Sequence, residues 1–225
     1  VRALDGLTCR GAAGAITCLL GPTGCGKTTA LRMAAGLARP DAGTVRVHGT
    51  SPADVCRTVG TIPQQHTLFP WLRIQDNVAF PLRMRGVGRV ERRRRADELL
   101  ARVGLSGRGR AFPHECSGGM QQRVMLARQL ATGATHWLLD EPFASLDERT
   151  RHHLQGLLLE LRRDRGLSVL FVTHSIEEAV FLADRIVLLS PGPGRVIQTL
   201  DLTETHPRDR LAPAFAAHLE TVRCS

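Results

Sequence analysis

The chain has no tyrosine, and only 4% of its 225 residues are aromatic. Single-stranded nucleic acid is held by stacking on aromatic rings, so that mode of binding is poorly supplied. No apolar run approaches the ~18 residues that can span a bilayer. No signal-peptide pattern is visible. The six cysteines, Cys9, Cys18, Cys25, Cys56, Cys116 and Cys224, are scattered without C-x-x-C spacing. That argues against a zinc site or disulfide framework and for reduced thiols, mostly small core residues. Lysine is nearly missing too: of 30 Lys and Arg residues, Lys27 is the one lysine.

What is present is a globular composition, 43% hydrophobic, of a length that suits one large domain or a core with an insertion. The formal charge is +9. Basic proteins meet nucleic acid, anionic lipid or acidic ligands. The densest run, Arg89 to Arg95 with Arg92-Arg93-Arg94-Arg95, reads first as a solvated helix face, then as a neighbour of lipid head groups, and last as a nucleic-acid contact. The chain begins at Val1, so a natural N-terminus ahead of it is expected to be missing. The tail after Arg195 ends in a short helical pattern, Arg210 to Val222, and no regulatory domain is expected there.

The single lysine sits in Gly21-Pro22-Thr23-Gly24-Cys25-Gly26-Lys27-Thr28, which fits G-x-x-x-x-G-K-[ST]. Glycines let the backbone curl so that successive N–H groups face phosphate oxygens, and the following helix adds its positive end. An ammonium is compact enough to reach between β- and γ-phosphates, where a planar guanidinium fits poorly. The Thr28 hydroxyl is a ligand for Mg²⁺. The setting agrees: an apolar run, Ala15 to Leu20, reads as a buried strand, and Thr29 to Gly36 reads as a helix closed by glycine. Cys25, at the positive end of that helix, is expected to be a reactive thiol.

Leu138-Leu139-Asp140-Glu141-Pro142 places two carboxylates after an apolar strand, where strand ends of open α/β sheets face the ligand crevice. Asp140 suits Mg²⁺ as an oxygen ligand, and Glu141 suits polarising a water at the γ-phosphate. Gln64 follows the strand ending at Ile62, and its amide can touch both metal and water. His174 follows the strand Val169 to Val172 and can hydrogen-bond a γ-phosphate; a capping or core histidine is the bland alternative. Ser117-Gly118-Gly119 opens the helix Met120 to Leu130, a second anion-binding helix terminus. One nucleotide does not need two such cradles in one chain, whereas two chains paired head to tail use both.

Strands are expected at Val45 to Gly49, Thr58 to Ile62, Trp137 to Leu139, Ser168 to Val172 and Ile186 to Leu189. Helices are expected at Asp76 to Met84, Val90 to Val103, Glu148 to Arg163 and Ile176 to Ala183. Their alternation predicts a parallel sheet covered by helices, with the helical stretch from about residue 67 to 133 as an insertion.

In this order the motifs resemble the ATP-binding-cassette ATPases over essentially the whole chain. The resemblance implies a P-loop NTPase core (residues 1–66 and 134–225) with a mainly parallel sheet, a small antiparallel β subdomain, and an inserted helical signature subdomain (67–133). It implies ATP and Mg²⁺ as ligands. Gly21, Pro22, Thr23, Gly24, Cys25, Gly26, Lys27, Thr28 and Thr29 are then the Walker A contacts, and Thr28, Gln64 and Asp140 the metal ligands. Glu141, His174, Lys27 and Gln64 become the catalytic set. Ser117, Gly118, Gly119, Met120 and Gln121 form the signature that touches ATP across a dimer, and Asp147 belongs to the D-loop Ser145-Leu146-Asp147.

Gln64 to Trp71, Asp76 to Leu82, Glu177 to Arg185 and Ser190 to Arg195 are similar to the importer ATPases of the nitrate/sulfonate/taurine group. That implies a homodimer on the cytoplasmic face of the membrane, integral-membrane permease subunits and, indirectly, a solute-binding protein, with no nucleic-acid partner. The apolar cluster Phe69, Pro70, Trp71, Phe80, Pro81 and Leu82 is the expected permease contact, with a buried core as the competing explanation. Two departures stand out: Cys116 replaces the usual leucine of the signature, and no aromatic precedes Phe69 to stack on adenine. A DNA-repair or chromosome-maintenance ATPase would place a long coiled coil between Gln64 and Ser117, where no sustained heptads occur. A small-molecule kinase would leave Ser117-Gly118-Gly119 and His174 without a task.

Overall fold

The computed structural model describes residues 2–52, 54, 58–64, 67–144 and 146–224; Cys56, Gln65, His66 and Ser145 lie outside them. The described residues form β1 (Ile16–Leu20), α1 (Lys27–Ala34), β2 (Val59–Ile62), α2 (Ile74–Met84), α3 (Arg89–Arg102) and α4 (Gly118–Ala131). They continue with β3 (His136–Asp140), α5 (Glu148–Arg165), β4 (Ser168–Thr173), α6 (Ile176–Leu182), β5 (Arg185–Leu189), β6 (Val196–Asp201) and α7 (Pro213–Arg223). Two compact units result. One holds residues 1–61, 135–141 and 158–225, and the other holds 62–134 and 142–157.

The first unit is built on a six-stranded sheet of order β2-β3-β4-β1-β5-β6. β1 pairs in parallel with β4 and β5, and β3 in parallel with β4. β1 and β4 read as near-continuous apolar runs because a central parallel strand is covered on both faces. Accordingly Ile16, Cys18 and Leu19 of β1, Trp137 of β3 and Phe171 of β4 are fully buried. β6 closes one edge antiparallel to β5. Its alternating half-buried and exposed residues follow from that edge position, and its weak apolar signal hid it from the sequence reading. Val45 to Gly49 is not a strand. Val47 and Thr50 exchange backbone hydrogen bonds of 2.9 and 3.1 Å around His48 and Gly49, both at positive φ. That is a two-residue hairpin turn, flanked by half-buried Val45 and Val47 and exposed Arg46 and Thr50. Antiparallel pairing occurs in this turn and between β6 and β5.

Asp184, at the α6–β5 junction, fastens the C-terminal segment to the first unit. Its Oδ2 accepts from the Ile16 N–H at 2.6 Å and from Arg162 at 3.0 Å, while Oδ1 meets His206 Nε2 at 3.2 Å. Burial pushes this carboxyl up, but His206, the Ile16 N–H and Arg162 outweigh it and hold the pKa below the ordinary value. A depressed folded-state pKa gives stability that is present above the unfolded value and lost as pH falls through the folded one. Asp184→Asn is therefore expected to cost about 2 kcal/mol at neutral pH, with the gap to the parent narrowing below pH ~4. Chemical denaturation across pH checks it; an unchanged neutral-pH midpoint refutes the fastening role.

In the second unit α2, α3 and α4 pack pairwise. Asn77 is fully buried because it replaces secondary structure for the preceding loop. Its side chain accepts from the Phe69 N–H at 2.8 Å and donates to the carbonyls of Phe69, Leu72 and Arg73 at 3.1, 3.0 and 3.2 Å. No helix among the described residues is long and apolar enough to cross a membrane.

Candidate functional site

Strand order decides where the chemistry gathers. β3, β4 and β1 are neighbours, and their registers align Asp140 with Val172 and Leu20 with Thr173. The residues that follow these C-terminal ends, Gly21 onward, Glu141 and His174, are thus brought to one rim of the first unit. Rims of this kind are where open parallel sheets bind ligands.

The loop after β1 is shaped by glycine. Gly26, which caps α1, has φ 96°, and a Cβ there would lie 2.6 Å from the Ala3 carbonyl oxygen. Side chains rarely adopt that φ, and the space is taken. α1 starts directly at Lys27, so its free N–H groups face the loop interior. Lys27 is 5% exposed. Its ammonium donates to the Gly21 and Pro22 carbonyls at 2.7 and 2.8 Å, and Cys25 Sγ lies at 3.9 Å. Cys25 is fully buried, which corrects the expectation of a reactive thiol, since reagents need access to sulfur. Cys18 and Cys116 are also buried, but Cys9 and Cys224 are exposed rather than core residues. Burial pushes the Cys18 thiol far up, Glu178 adds to the rise, and Lys27 opposes it.

The Thr28 hydroxyl donates to Asp140 Oδ1 at 3.1 Å, joining the loop to the end of β3. Burial raises the Asp140 pKa, the Thr28 hydrogen bond opposes the rise, and the adjacent Glu141 charge reinforces it. A carboxylate short of compensating charge, paired with a hydroxyl, is an oxygen donor set suited to a hard cation. Glu141 sits at φ 45°, uncommon for a residue with a side chain, and its N–H donates to the Val172 carbonyl at 3.0 Å. Its carboxylate lies 3.2 Å from His174 Nδ1; the Glu141 side chain is 15% exposed and that of His174 54%.

Three residues overlooked in the sequence fix the turn that carries His174. Ser175 caps α6 by accepting from the Glu178 N–H at 3.3 Å. The Thr173 hydroxyl donates to Glu178 Oε2 at 2.7 Å and accepts from the Ser175 N–H at 3.1 Å. The signal was available: Ser175-Ile176-Glu177-Glu178 has the S-x-x-E spacing of a capping box. Ser190 to Arg195 holds the N-terminal segment that abuts Gly26. The Gly194 N–H donates to the Ala3 carbonyl at 3.0 Å, the Asp5 N–H donates to that of Gly194 at 2.9 Å, and Arg195 Nε donates to Asp5 at 2.8 Å.

The remaining candidates lie in the second unit. Ser117 caps α4, its Oγ accepting from the Met120 N–H at 3.3 Å, and Ser117 and Gly118 are exposed. Gly119 lets α4 approach Thr150, since a Cβ there would sit 2.5 Å from the Thr150 methyl. Gln121 donates to the Pro113 and Cys116 carbonyls at 2.9 and 3.2 Å. Asp147 has a structural task, accepting from the Thr150 N–H at 2.9 Å at the start of α5. That bond holds its carboxyl below the usual range. Gln64 is exposed, two residues beyond β2.

Of the expected permease contact, Leu82 is only 6% exposed and belongs to the core of this unit, because α2 turns that side toward its packed neighbours. Trp71 is 71% exposed, and Phe80 and Pro81 are half-buried. An open, mainly apolar groove of ≈ 340 Å³ is lined by Thr67, Phe69, Phe80, Pro81, Arg128 and Thr132. Arg128 stiffens it by donating to the Thr67 carbonyl and hydroxyl, each at 2.9 Å.

The profile of the ABC transporter family matches residues 4–144. The taurine import ATP-binding protein TauB of Chromobacterium violaceum is 50% identical over 198 residues, covering 88% of this chain and 76% of that protein. The uncharacterized ABC transporter ATP-binding protein MJ0412 of Methanocaldococcus jannaschii is 40% identical over 222 residues, covering 99% and 83%. Among solved structures, the dimeric post-hydrolysis state of the ATP-binding cassette MJ0796 bound to ADP and Pi superposes with TM-score 0.81 at 31% identity, covering 90% of this chain and 92% of that one. With a phosphate loop joined to an acidic strand end, the chain belongs to the ABC transporter family, as an ATP-hydrolysing member.

Proposed function

We propose that this chain is the ATPase subunit of a membrane importer for a small anion of the nitrate, sulfonate or taurine kind, docked peripherally on the cytoplasmic face. The observation that carries the catalytic part is the pairing of Glu141 with His174 at 3.2 Å, beside the Thr28–Asp140 contact. Lys27 and the loop N–H groups from Gly21 to Thr29 hold the phosphates. Thr28 and Asp140 hold Mg²⁺, which, when bound, neutralises phosphate charge. Glu141 accepts a hydrogen bond from the attacking water, and His174 orients Glu141 and meets the γ-phosphate. Gln64's part, an amide for metal and water, rests on the resemblance.

Two copies pair head to tail, so that Ser117 to Gln121 and Asp147 of each serve the partner's nucleotide. The dimeric MJ0796 cassette supports a pair of copies, and the head-to-tail order rests on the resemblance. The import function is supported by the 50% identity to TauB, a taurine import protein. The permease is proposed to seat a helix in the groove beside Phe69 and Phe80. The solute-binding protein meets the permease on the far side.

Trp71→Glu tests the docking. Trp71 is exposed, with its ring 5.6 Å from that of Phe69, so its loss should not disturb folding. Basal ATPase activity and melting temperature should stay near the parent values. Co-purification with the permease encoded nearby, and uptake of the solute, should fall at least tenfold, as for an aromatic anchor. A variant that co-purifies normally places the permease elsewhere.

A further inference from the structure

The α2–α3 hairpin ends in Arg83-Met84-Arg85-Gly86-Val87-Gly88-Arg89-Val90. This tip is rigid. The Val87 N–H donates to the Leu82 carbonyl at 3.0 Å and the Gly86 N–H to that of Arg83 at 2.9 Å, the paired bonds that close a helix end. Arg92 reaches back to the Val87 carbonyl at 3.4 Å. The tip nevertheless exposes apolar side chains: Met84 is 71% exposed and Val90 85%. Exposed Arg83, Arg85, Arg89 and Arg93 flank them in sequence, the Arg85 guanidinium lying beside Gly133, and among the described residues no ion pair engages these four.

The next part of the arginine run is different. Arg94 and Arg95 are paired with Glu91, and Arg94 also with Glu98, so their charge is spent within α3. No acidic residue occurs between Arg83 and Val90. The uncompensated positive charge is therefore at the tip rather than along the helix.

We infer that this tip is a membrane-contact element, with Met84 and Val90 entering the head-group layer of an anionic bilayer and Arg83, Arg85, Arg89 and Arg93 binding lipid phosphates. Guanidinium forks match phosphate oxygens in pairs. Exposed apolar side chains set among arginines suit an interface that is wet on one side and oily on the other. Charge complementarity selects anionic over zwitterionic lipid. Duplex DNA shares the phosphates but offers no oily layer for Met84 and Val90. The location rests in part on the proposed permease groove: Phe80 lines it, and Phe80 and Met84 are i, i+4 neighbours on one face of α2.

Vesicle co-sedimentation of the full chain, without any permease, tests the tip separately from the groove. At physiological salt the chain should sediment with phosphatidylcholine vesicles that contain phosphatidylglycerol and not with phosphatidylcholine alone. Each tip arginine should contribute about fivefold to partitioning, so Arg85→Gln/Arg89→Gln should lose about 25-fold. Met84→Ser should lose severalfold at unchanged charge. Arg163→Gln/Arg165→Gln, with the same net charge loss at the end of α5, should sediment as the parent does. ATPase rate and melting curves confirm that each variant is folded. Should Arg85→Gln disturb the helix end, Arg89→Gln alone should still lose about fivefold. Three results overturn the inference: no preference for anionic vesicles, equal losses in the two double variants, or short duplex DNA binding that depends on the tip at the same salt. Co-purification of Trp71→Glu with the permease bears on the groove and leaves all three readouts untouched.

Discussion

Glu141→Gln should keep nucleotide binding and lower turnover by about 10²–10⁴-fold. The substitution is nearly isosteric. The backbone that fixes the residue, with its N–H on the Val172 carbonyl and φ 45°, does not depend on side-chain charge. What changes is proton affinity. An amide cannot accept a water proton, and it offers His174 an uncharged partner across the 3.2 Å contact. ATP then stays bound without being cleaved. With ATP and Mg²⁺ the variant should run as a dimer in size-exclusion chromatography if, as proposed, the nucleotide bridges one copy's phosphate loop to the other's Ser117 cap. Adding Ser117→Arg places a charged, bulky group at the exposed start of α4 and should return the protein to monomer. A steady-state assay with Glu141→Gln near the parental rate removes the role given to Glu141. A double variant that still dimerises removes the role given to Ser117.

Lys27→Ala should fail at an earlier stage, losing nucleotide binding and turnover together. Lys27 is buried, and its ammonium holds the Gly21 and Pro22 carbonyls while presenting a positive charge in the loop. Alanine removes the charge proposed to meet the phosphates and takes away the ammonium that bonds the Gly21 and Pro22 carbonyls. Equilibrium titration with a fluorescent ATP analogue should show affinity at least 100-fold weaker, about 2.7 kcal/mol. Thermal melting offers an independent readout. Ligand at 100 times its Kd stabilises a folded protein by about 2.7 kcal/mol, and the variant should gain almost none of it. Lys27→Arg should not rescue binding. A planar fork cannot occupy the position of a compact ammonium 2.7 Å from one carbonyl and 2.8 Å from the other. Normal affinity in Lys27→Ala would refute the phosphate role of the chain's one lysine.

The sequence by itself determined the pieces whose geometry is local. Glycines tolerate the positive φ that a tight phosphate loop needs and other residues rarely adopt, so the loop from Gly21 to Thr28 could be read from residue types alone. The same holds for carboxylates after an apolar strand, and for Ser117 ahead of two glycines at a helix start, where a side-chain oxygen is the usual cap. Parallel strands alternating with helices followed from periodicity, and the edge strand β6 escaped because it is half-buried on one face only.

Only the tertiary structure decided which of these pieces meet. Asp140, Glu141 and His174 share a rim with the phosphate loop because β4 lies between β3 and β1, an order set by long-range pairing that no local pattern records. Burial was equally invisible. Leu82 and Trp71 are both large apolar residues near the same loop, yet one is core and the other surface, since packing partners rather than hydropathy fix exposure. Cys25 is shut away by the turn that makes it conspicuous in sequence. Within the arginine run, the helix period put Glu91 beside Arg94 and Arg95 and left Arg89 and Arg93 open at the hairpin tip, so net charge became position only when the chain folded.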